Sequence, residues 1–252
     1  MKKLSLLAVL ATLVSAAAAQ DIPTLLKAAD KYRMSSDNMQ VDTQISVFNT
    51  DGTPDKERRY TVFAQAKHQS LVLMQSAAEK GQKVLMLGDD YWLLMPSSQR
   101  PLRITPMQKL LGDASTGDIA TLSWAEDYSG NLVGEEACPG DAASSVAAKT
   151  CLHLSLSAAR KGVTYQRIEL WLGKARHEPI KADLYVQSDK LAKQARFEMD
   201  KPAAPTMVTA MVLRDQLTNK KETQVRYLAR KEHTVPEAWL NPMFLARNPV
   251  LE

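Results

Sequence analysis

Period-two alternation dominates this chain and limits it to a β fold. Val41, Thr43, Ile45 and Val47 alternate with Asp42, Gln44 and Ser46, and Asp51-Gly52 marks the turn that follows. Further runs of strand character cover residues 59–67, 70–75, 83–87, 91–95, 102–104, 152–157, 165–172, 180–186, 191–199, 207–213 and 223–229. Gly, Pro and charged residues punctuate them, at Gly81, Gly88-Asp89, Pro96, Lys161-Gly162, Glu178-Pro179, Ser188-Asp189-Lys190 and Asn219-Lys220-Lys221. Regular spacing of this kind predicts one antiparallel sheet of about eleven strands, strongly curved or rolled into a half-open barrel. Residues 20–252 contain no repeat, low-complexity linker or domain boundary and read as one domain.

Helical spacing occurs in three places. In residues 22–34 the apolar positions are Ile22, Leu25, Leu26, Ala29 and Tyr32, with Pro23 in the opening turn, where a helix tolerates it. Pro106 then interrupts the β pattern, and Met107, Leu110 and Leu111 sit at helical spacing as far as Gly112. After Asp113 and Ser115, either able to cap, Ile119 and Leu122 form a second short face before Trp124. The expectation is an N-terminal helix plus two short helices inserted among the strands as a lid.

The ends and the cysteines indicate the compartment. Lys2 and Lys3 precede an apolar run at residues 4–16, and Ala17-Ala18-Ala19 supplies the small-residue cleavage pattern ahead of Gln20 and Asp21. Thirteen apolar residues are short against the roughly 20 that span a bilayer. A signal peptide over residues 1–19, cleaved near Ala19/Gln20, and a mature protein in the periplasm are therefore expected. Removing nineteen of the 252 residues leaves 233. Without Lys2 and Lys3, Lys and Arg fall from 32 to 30 against 28 acids, a net charge of +2 with no basic cluster. Nucleic acid is a poor partner for such a surface. Twelve residues separate Cys138 from Cys151, and in an exported chain such a pair is expected to form a disulfide. An outer-membrane barrel is the competing architecture, and it fails because nearly every strand carries charge.

The constellations that catalysis requires are missing. There is no Gly-x-Ser-x-Gly elbow, Ser-x-x-Lys, His-Glu-x-x-His or Gly-rich phosphate loop, and His68, His153, His177 and His233 are scattered. Neither an enzyme, a cofactor nor a metal is expected. Ten methionines follow the signal segment, against four phenylalanines in the chain. Met is flexible and polarisable, and it suits a cavity that accepts chains of varied shape as well as it fills a core.

Residues 70–130 resemble the periplasmic LolA-like family, the outer membrane lipoprotein-sorting proteins. The matching positions, in order, are 71–74, 81–85, 91–96, Arg103-Ile104 and Gly112-Asp113. Residues 167–171, 179–181, Val235-Pro236 and Phe244 resemble later parts of the family. One departure is Ala114-Ser115-Thr116, where relatives often carry an aromatic. The resemblance implies a half-open barrel closed by helices over an apolar cavity for acyl chains. It further implies a monomeric carrier or chaperone-like protein that moves a lipid or lipoprotein between inner and outer membrane. The donor would be an inner-membrane transporter of the RND/MMPL or ABC type, and the acceptor would lie in the outer membrane. An envelope sensor that binds lipid and regulates an inner-membrane partner is the alternative. Strand alternation nominates Met74, Leu85, Trp92, Leu94, Ile104, Phe197, Met199 and Met211 as cavity wall. Met107, Leu110, Leu111, Ile119, Leu122 and Trp124 are nominated from the lid. In this reading Trp92 points inward, while Tyr91 and Leu93 lie outside beneath the N-terminal helix.

Overall fold

The structure, a computed structural model, describes residues 21–34, 36–98, 100–120, 123–140, 147–216 and 221–251. The expected signal segment, residues 1–19, and Leu122 lie outside them. Among the described residues no helix is long and apolar enough to cross a membrane.

Helix α1 (Ile22–Asp30) opens the described chain, followed by β1 (Met39–Phe48), β2 (Pro54–Gln65), β3 (Gln69–Met74), β4 (Lys83–Leu87), β5 (Asp90–Leu94) and β6 (Leu102–Ile104). A cover segment comes next: β7 (Lys109–Leu111), β8 (Ala114–Ser115), α2 (Thr116–Ala120) and α3 (Trp124–Asp127). The second half runs through β9 (Tyr128–Ala137), β10 (Thr150–Ala158), β11 (Arg167–Gly173), β12 (Pro179–Tyr185), β13 (Leu191–Met199), β14 (Val208–Asp215) and β15 (Glu222–Glu232) to α4 (Pro242–Ala246).

Thirteen strands form one antiparallel sheet in the order β6-β5-β4-β3-β2-β1-β15-β14-β13-β12-β11-β10-β9, and β7 pairs with β8 apart from it. The sheet exceeds the expected eleven strands chiefly because β9 escaped the sequence pattern. That strand is an edge, largely exposed, with Gly130, Gly134, Glu135 and Glu136 in place of regular apolar positions. Strands pair with their chain neighbours within each half, and β1 pairs with β15 to join the halves into one sheet whose ends curl towards each other without closing. The β4–β5 turn meets the loop before β11: Gly162 N–H donates to Asp89 at 2.9 Å, and Arg160 donates to Gly88 O at 3.3 Å. Right-handed twist accumulated over so many strands produces this roll.

One face of the sheet turns inward. Val41 and Ile45 of β1, Val72 and Met74 of β3, Leu152, Leu154 and Leu156 of β10, and Phe197 and Met199 of β13 share a single buried cluster. Helix α1 belongs to it through Leu25, Leu26 and Ala29, so it lies across the mouth of the roll and not on the outside. Asp21 caps this helix, accepting from the Thr24 N–H at 3.3 Å. The outer face of β2 to β5 has its own cover. Phe63, Leu71, Leu85 and Leu94 pack there against Val235, Trp239 and Leu245 of the C-terminal segment.

The cover differs from expectation in its first half. Met107, Leu110 and Leu111 do not form a helix; the segment is the β7–β8 hairpin, with Lys109 opposite Ser115 and Leu111 opposite Ala114. Only five residues separate Pro106 from Gly112, too few to offset the cost of helix nucleation. Gly112 turns the hairpin at φ +56°, and a Cβ there would lie 2.5 Å from Thr223 Oγ1 and 2.6 Å from Val47 Cγ2. Gly117 lies within α2, where a Cβ would stand 1.8 Å from Thr164 Oγ1. Its role is close approach of the cover to the sheet.

Candidate functional site

The interior of the roll, beneath α1 and the cover, brings together ten of the nominated residues. Met74, Ile104, Met107, Leu110, Leu111, Ile119, Trp124, Phe197, Met199 and Met211 all lie in or against the inner cluster. Trp124 stacks edge-on against Phe197, with ring centroids 5.6 Å apart, which joins α3 to β13.

Leu85, Trp92 and Leu94 are corrections. They belong to the outer cluster under the C-terminal segment, while their neighbours Val84, Met86, Tyr91 and Leu93 face inward. Both faces of β4 and β5 are covered, so both read as apolar and alternation could not choose between them. A one-residue error inverted the assignment. A readable signal did exist, because β5 pairs with β6 so that Trp92 stands opposite Arg103. The Arg103 guanidinium lies 4.8 Å from the Trp92 ring, a charged neighbour that marks the outer side.

The cover is held down by polar contacts that the sequence reading did not identify. Asp30 of α1 accepts from the Trp124 N–H at 2.9 Å, the Ala125 N–H at 2.9 Å and Ser123 Oγ at 3.0 Å. Burial pushes the Asp30 carboxyl up from its ordinary value, against the pull of Arg33 and these donors. The Arg33 guanidinium lies 4.1 Å from the Trp124 ring. At the hairpin, the Asp113 N–H donates to Thr223 Oγ1 at 2.9 Å. At the end of α3, Asp127 accepts from Arg160 at 2.6 Å.

The most enclosed of these contacts centres on Asp118 of α2. Its carboxylate accepts from the Ser115 N–H and Ser115 Oγ at 2.7 Å, from Lys193 Nζ at 2.7 Å and from the Tyr165 hydroxyl at 2.6 Å. Burial raises the Asp118 carboxyl, but the Lys193 ammonium and the converging donors outweigh it and leave the group below its usual value. The Tyr165 hydroxyl is pushed well above its ordinary value by burial and by Asp118. Lys193 could have been found by alternation, since it shares parity with Ala195, Phe197 and Met199 on β13.

Two cavities flank this arrangement. A small one of about 50 Å³ lies in the roll, lined by Arg33, Asp118, Trp124, Tyr165, Phe197 and Met211 among others. A larger groove of about 430 Å³ opens at the surface where α1, the β2–β3 turn and α3 meet, between Lys31, Met34, His68 and Glu126. Met86, at the groove's floor, also belongs to the inner cluster, so the groove ends on the interior.

Remote from the site, Cys138 and Cys151 are joined in a disulfide with Cα atoms 4.8 Å apart, tying the end of β9 to the start of β10.

Comparison with known proteins agrees with this architecture. A family profile described as a "-like" uncharacterized protein matches residues 66–247. No curated protein matches the chain. The LolA superfamily protein NE2245 from Nitrosomonas europaea superposes with a TM-score of 0.74 at 29% identity, covering 86% of this chain and 96% of that one. A DUF1329 family protein from Desulfovibrio piger gives a TM-score of 0.66 at 21% identity, over 87% of this chain and 95% of its own. An outer membrane lipoprotein-sorting protein domain from Vibrio parahaemolyticus gives 0.62 at 19%, over 88% and 98%. The last two likenesses speak for the fold alone. A profile match over most of the chain, with the likeness to NE2245 along 86% of it, places the chain in the LolA-like family.

Proposed function

We propose that this chain is a periplasmic carrier that takes acyl chains of a lipid or lipoprotein into the rolled sheet. It would move them from an inner-membrane donor to an outer-membrane acceptor. The function is binding and release, with no catalytic step. The observation that carries the reading is the pairing of wall and cover: an apolar inner face on the sheet, closed by α1 and a cover that add specific polar fastenings to their apolar contacts. An exposed acyl chain costs about 0.8 kcal/mol per methylene, so an apolar wall holds it. Polar fastenings can be taken over by polar groups of an incoming ligand, so the cover can lift when one arrives.

The small cavity of about 50 Å³ is far below the roughly 300–1,000 Å³ of ordinary ligand sites. Loading therefore displaces α1 or the cover, and the surface groove that ends at Met86 is the natural entrance. The alternation of β1, β10 and β13 and the likeness to the LolA superfamily protein support the same reading.

The test is transfer of a fluorescent phospholipid from donor to acceptor vesicles of phosphatidylethanolamine and phosphatidylglycerol. It is paired with mass spectrometry of organic extracts from protein purified out of the periplasm. Acceleration that scales with protein concentration, together with co-extracted acyl material, is expected. Absence of both would overturn the proposal.

A further inference from the structure

We infer that the ligand of this interior bears an anionic head on its acyl chain, a carboxylate or a phosphate, and that this head takes the seat now filled by the Asp118 carboxylate. The inference rests on the carrier reading and adds the chemistry of the head.

The seat has its donors on the sheet side. Lys193 of β13 and Tyr165, which precedes β11, stay with the wall, while Asp118 and Ser115 belong to the cover. Lys193 and Asp118 are 2% and 7% exposed, beside the apolar Phe197 and Met211 and the buried Arg33. Core stability does not explain such a pair, because a buried ion pair is often matched or exceeded by apolar residues of the same volume. Breaking it is a different matter. When the cover moves to admit a chain, Asp118 leaves with it, and a lone ammonium in an apolar pocket is strongly unfavourable.

An incoming anion removes that penalty by restoring the charge-assisted bonds to Lys193 and the Tyr165 hydroxyl. The tail then has an adjacent place, since Asp118 and Tyr165 line the same small cavity as Phe197 and Met211. Arg33 lines it too and adds a second cation. In the empty protein Asp118 acts as the ligand's internal stand-in, so head binding and cover closure are exclusive alternatives at one site.

Palmitate and hexadecanol share a chain length and differ in the head. Their displacement of a neutral naphthylamine dye from the purified full chain tests the inference. Palmitate should compete about tenfold better than hexadecanol. Lys193→Met should close that gap, and Asp118→Asn should widen it, because the internal competitor loses its charge while keeping its shape. A purely structural pair would not make an Asp118 variant favour the acid, so this second variant decides the matter even if Lys193→Met fails to fold. Lysophosphatidic acid against monoacylglycerol repeats the comparison for a phosphate head, and a gap in either pair supports the inference. Equal competition within both pairs overturns the anionic head and leaves the carrier reading standing. Inorganic phosphate or acetate competing as well as palmitate overturns the acyl ligand in favour of a free anion. No binding of dye or any lipid overturns both readings.

Discussion

The Asp30 carboxylate accepts the backbone N–H of Trp124 at 2.9 Å, across 94 residues of chain. It thereby ties the first helix to the end of the cover and satisfies the opening N–H groups of α3. Asp30→Ala removes the acceptor of three donors. A loss of about 1–2 kcal/mol is expected, a typical cost for deleting a helix cap. Hydrogen exchange at the Trp124 and Ala125 amides should accelerate in the variant, while amides of β11 to β13 keep their protection. Equal acceleration throughout would show that α1 and the cover do not open as a unit.

Asp118 and Asp30 should respond oppositely to pH. Asp118 titrates below its unfolded value of 3.8, so its contribution is complete above that value and is lost as pH falls through the depressed folded value. Asp30 titrates above 3.8, so its contribution is greatest in acid and declines as pH rises through the elevated folded value. Urea midpoints at about pH 7 and about pH 3 should therefore converge in Asp118→Asn relative to the parent chain. An unchanged difference would mean that the Lys193 pair is not coupled to folding.

Gly112 is fixed by both conformation and space. Gly112→Ala places a Cβ at φ +56° against Thr223 and Val47, and a loss of about 1–3 kcal/mol is expected. Gly134→Ala, with no atom within 4 Å of the added carbon, is the control and should stay within about 0.5 kcal/mol. Thermal unfolding of the two variants side by side checks the contrast.

The Cys138–Cys151 disulfide closes a loop with a sequence separation of 13, beside the exposed edge strand β9. Reduction should cost about 3 kcal/mol in the chain-entropy treatment of a loop this size. Denaturant unfolding with and without reductant measures it. A change below about 1 kcal/mol would imply that the reduced unfolded chain keeps this hairpin.

The difference between strands that were legible and those that were not has one physical cause. In β1, β10 and β13 one face is covered and the other is wet, so alternation carries the burial pattern directly. In β4 and β5 both faces are covered, the inner by α1 and the cover, the outer by residues 235–251. Polarity within β4 and β5 then carries no sign of direction, and only Arg103, opposite Trp92 on β6, marks the outer side on which Leu85, Trp92 and Leu94 lie. The polar fastenings were invisible for another reason. Asp30 and Asp118 look like ordinary charged residues until the fold brings partners from 94 and 75 residues away, and Lys193 alone carries a signal, its inward parity on β13.

The four tryptophans allow a direct test of where a ligand lies. Trp124 is in the inner cluster, Trp92 and Trp239 belong to the outer cluster under the C-terminal segment, and Trp171 packs beside the disulfide. Bromine quenches indole emission only at close range, so a brominated fatty acid distinguishes faces that longer-range energy transfer would merge. Part of the emission should be lost on binding, and Trp124→Phe should abolish that loss while Trp92→Phe leaves it intact. Phe keeps most of the apolar contact with Phe197, so the variant is expected to fold. If quenching instead survives Trp124→Phe and disappears in Trp92→Phe, the acyl chain lies on the outer face, in place of the C-terminal segment. The carrier would then load through displacement of residues 235–251, and the interior of the roll would be ordinary core.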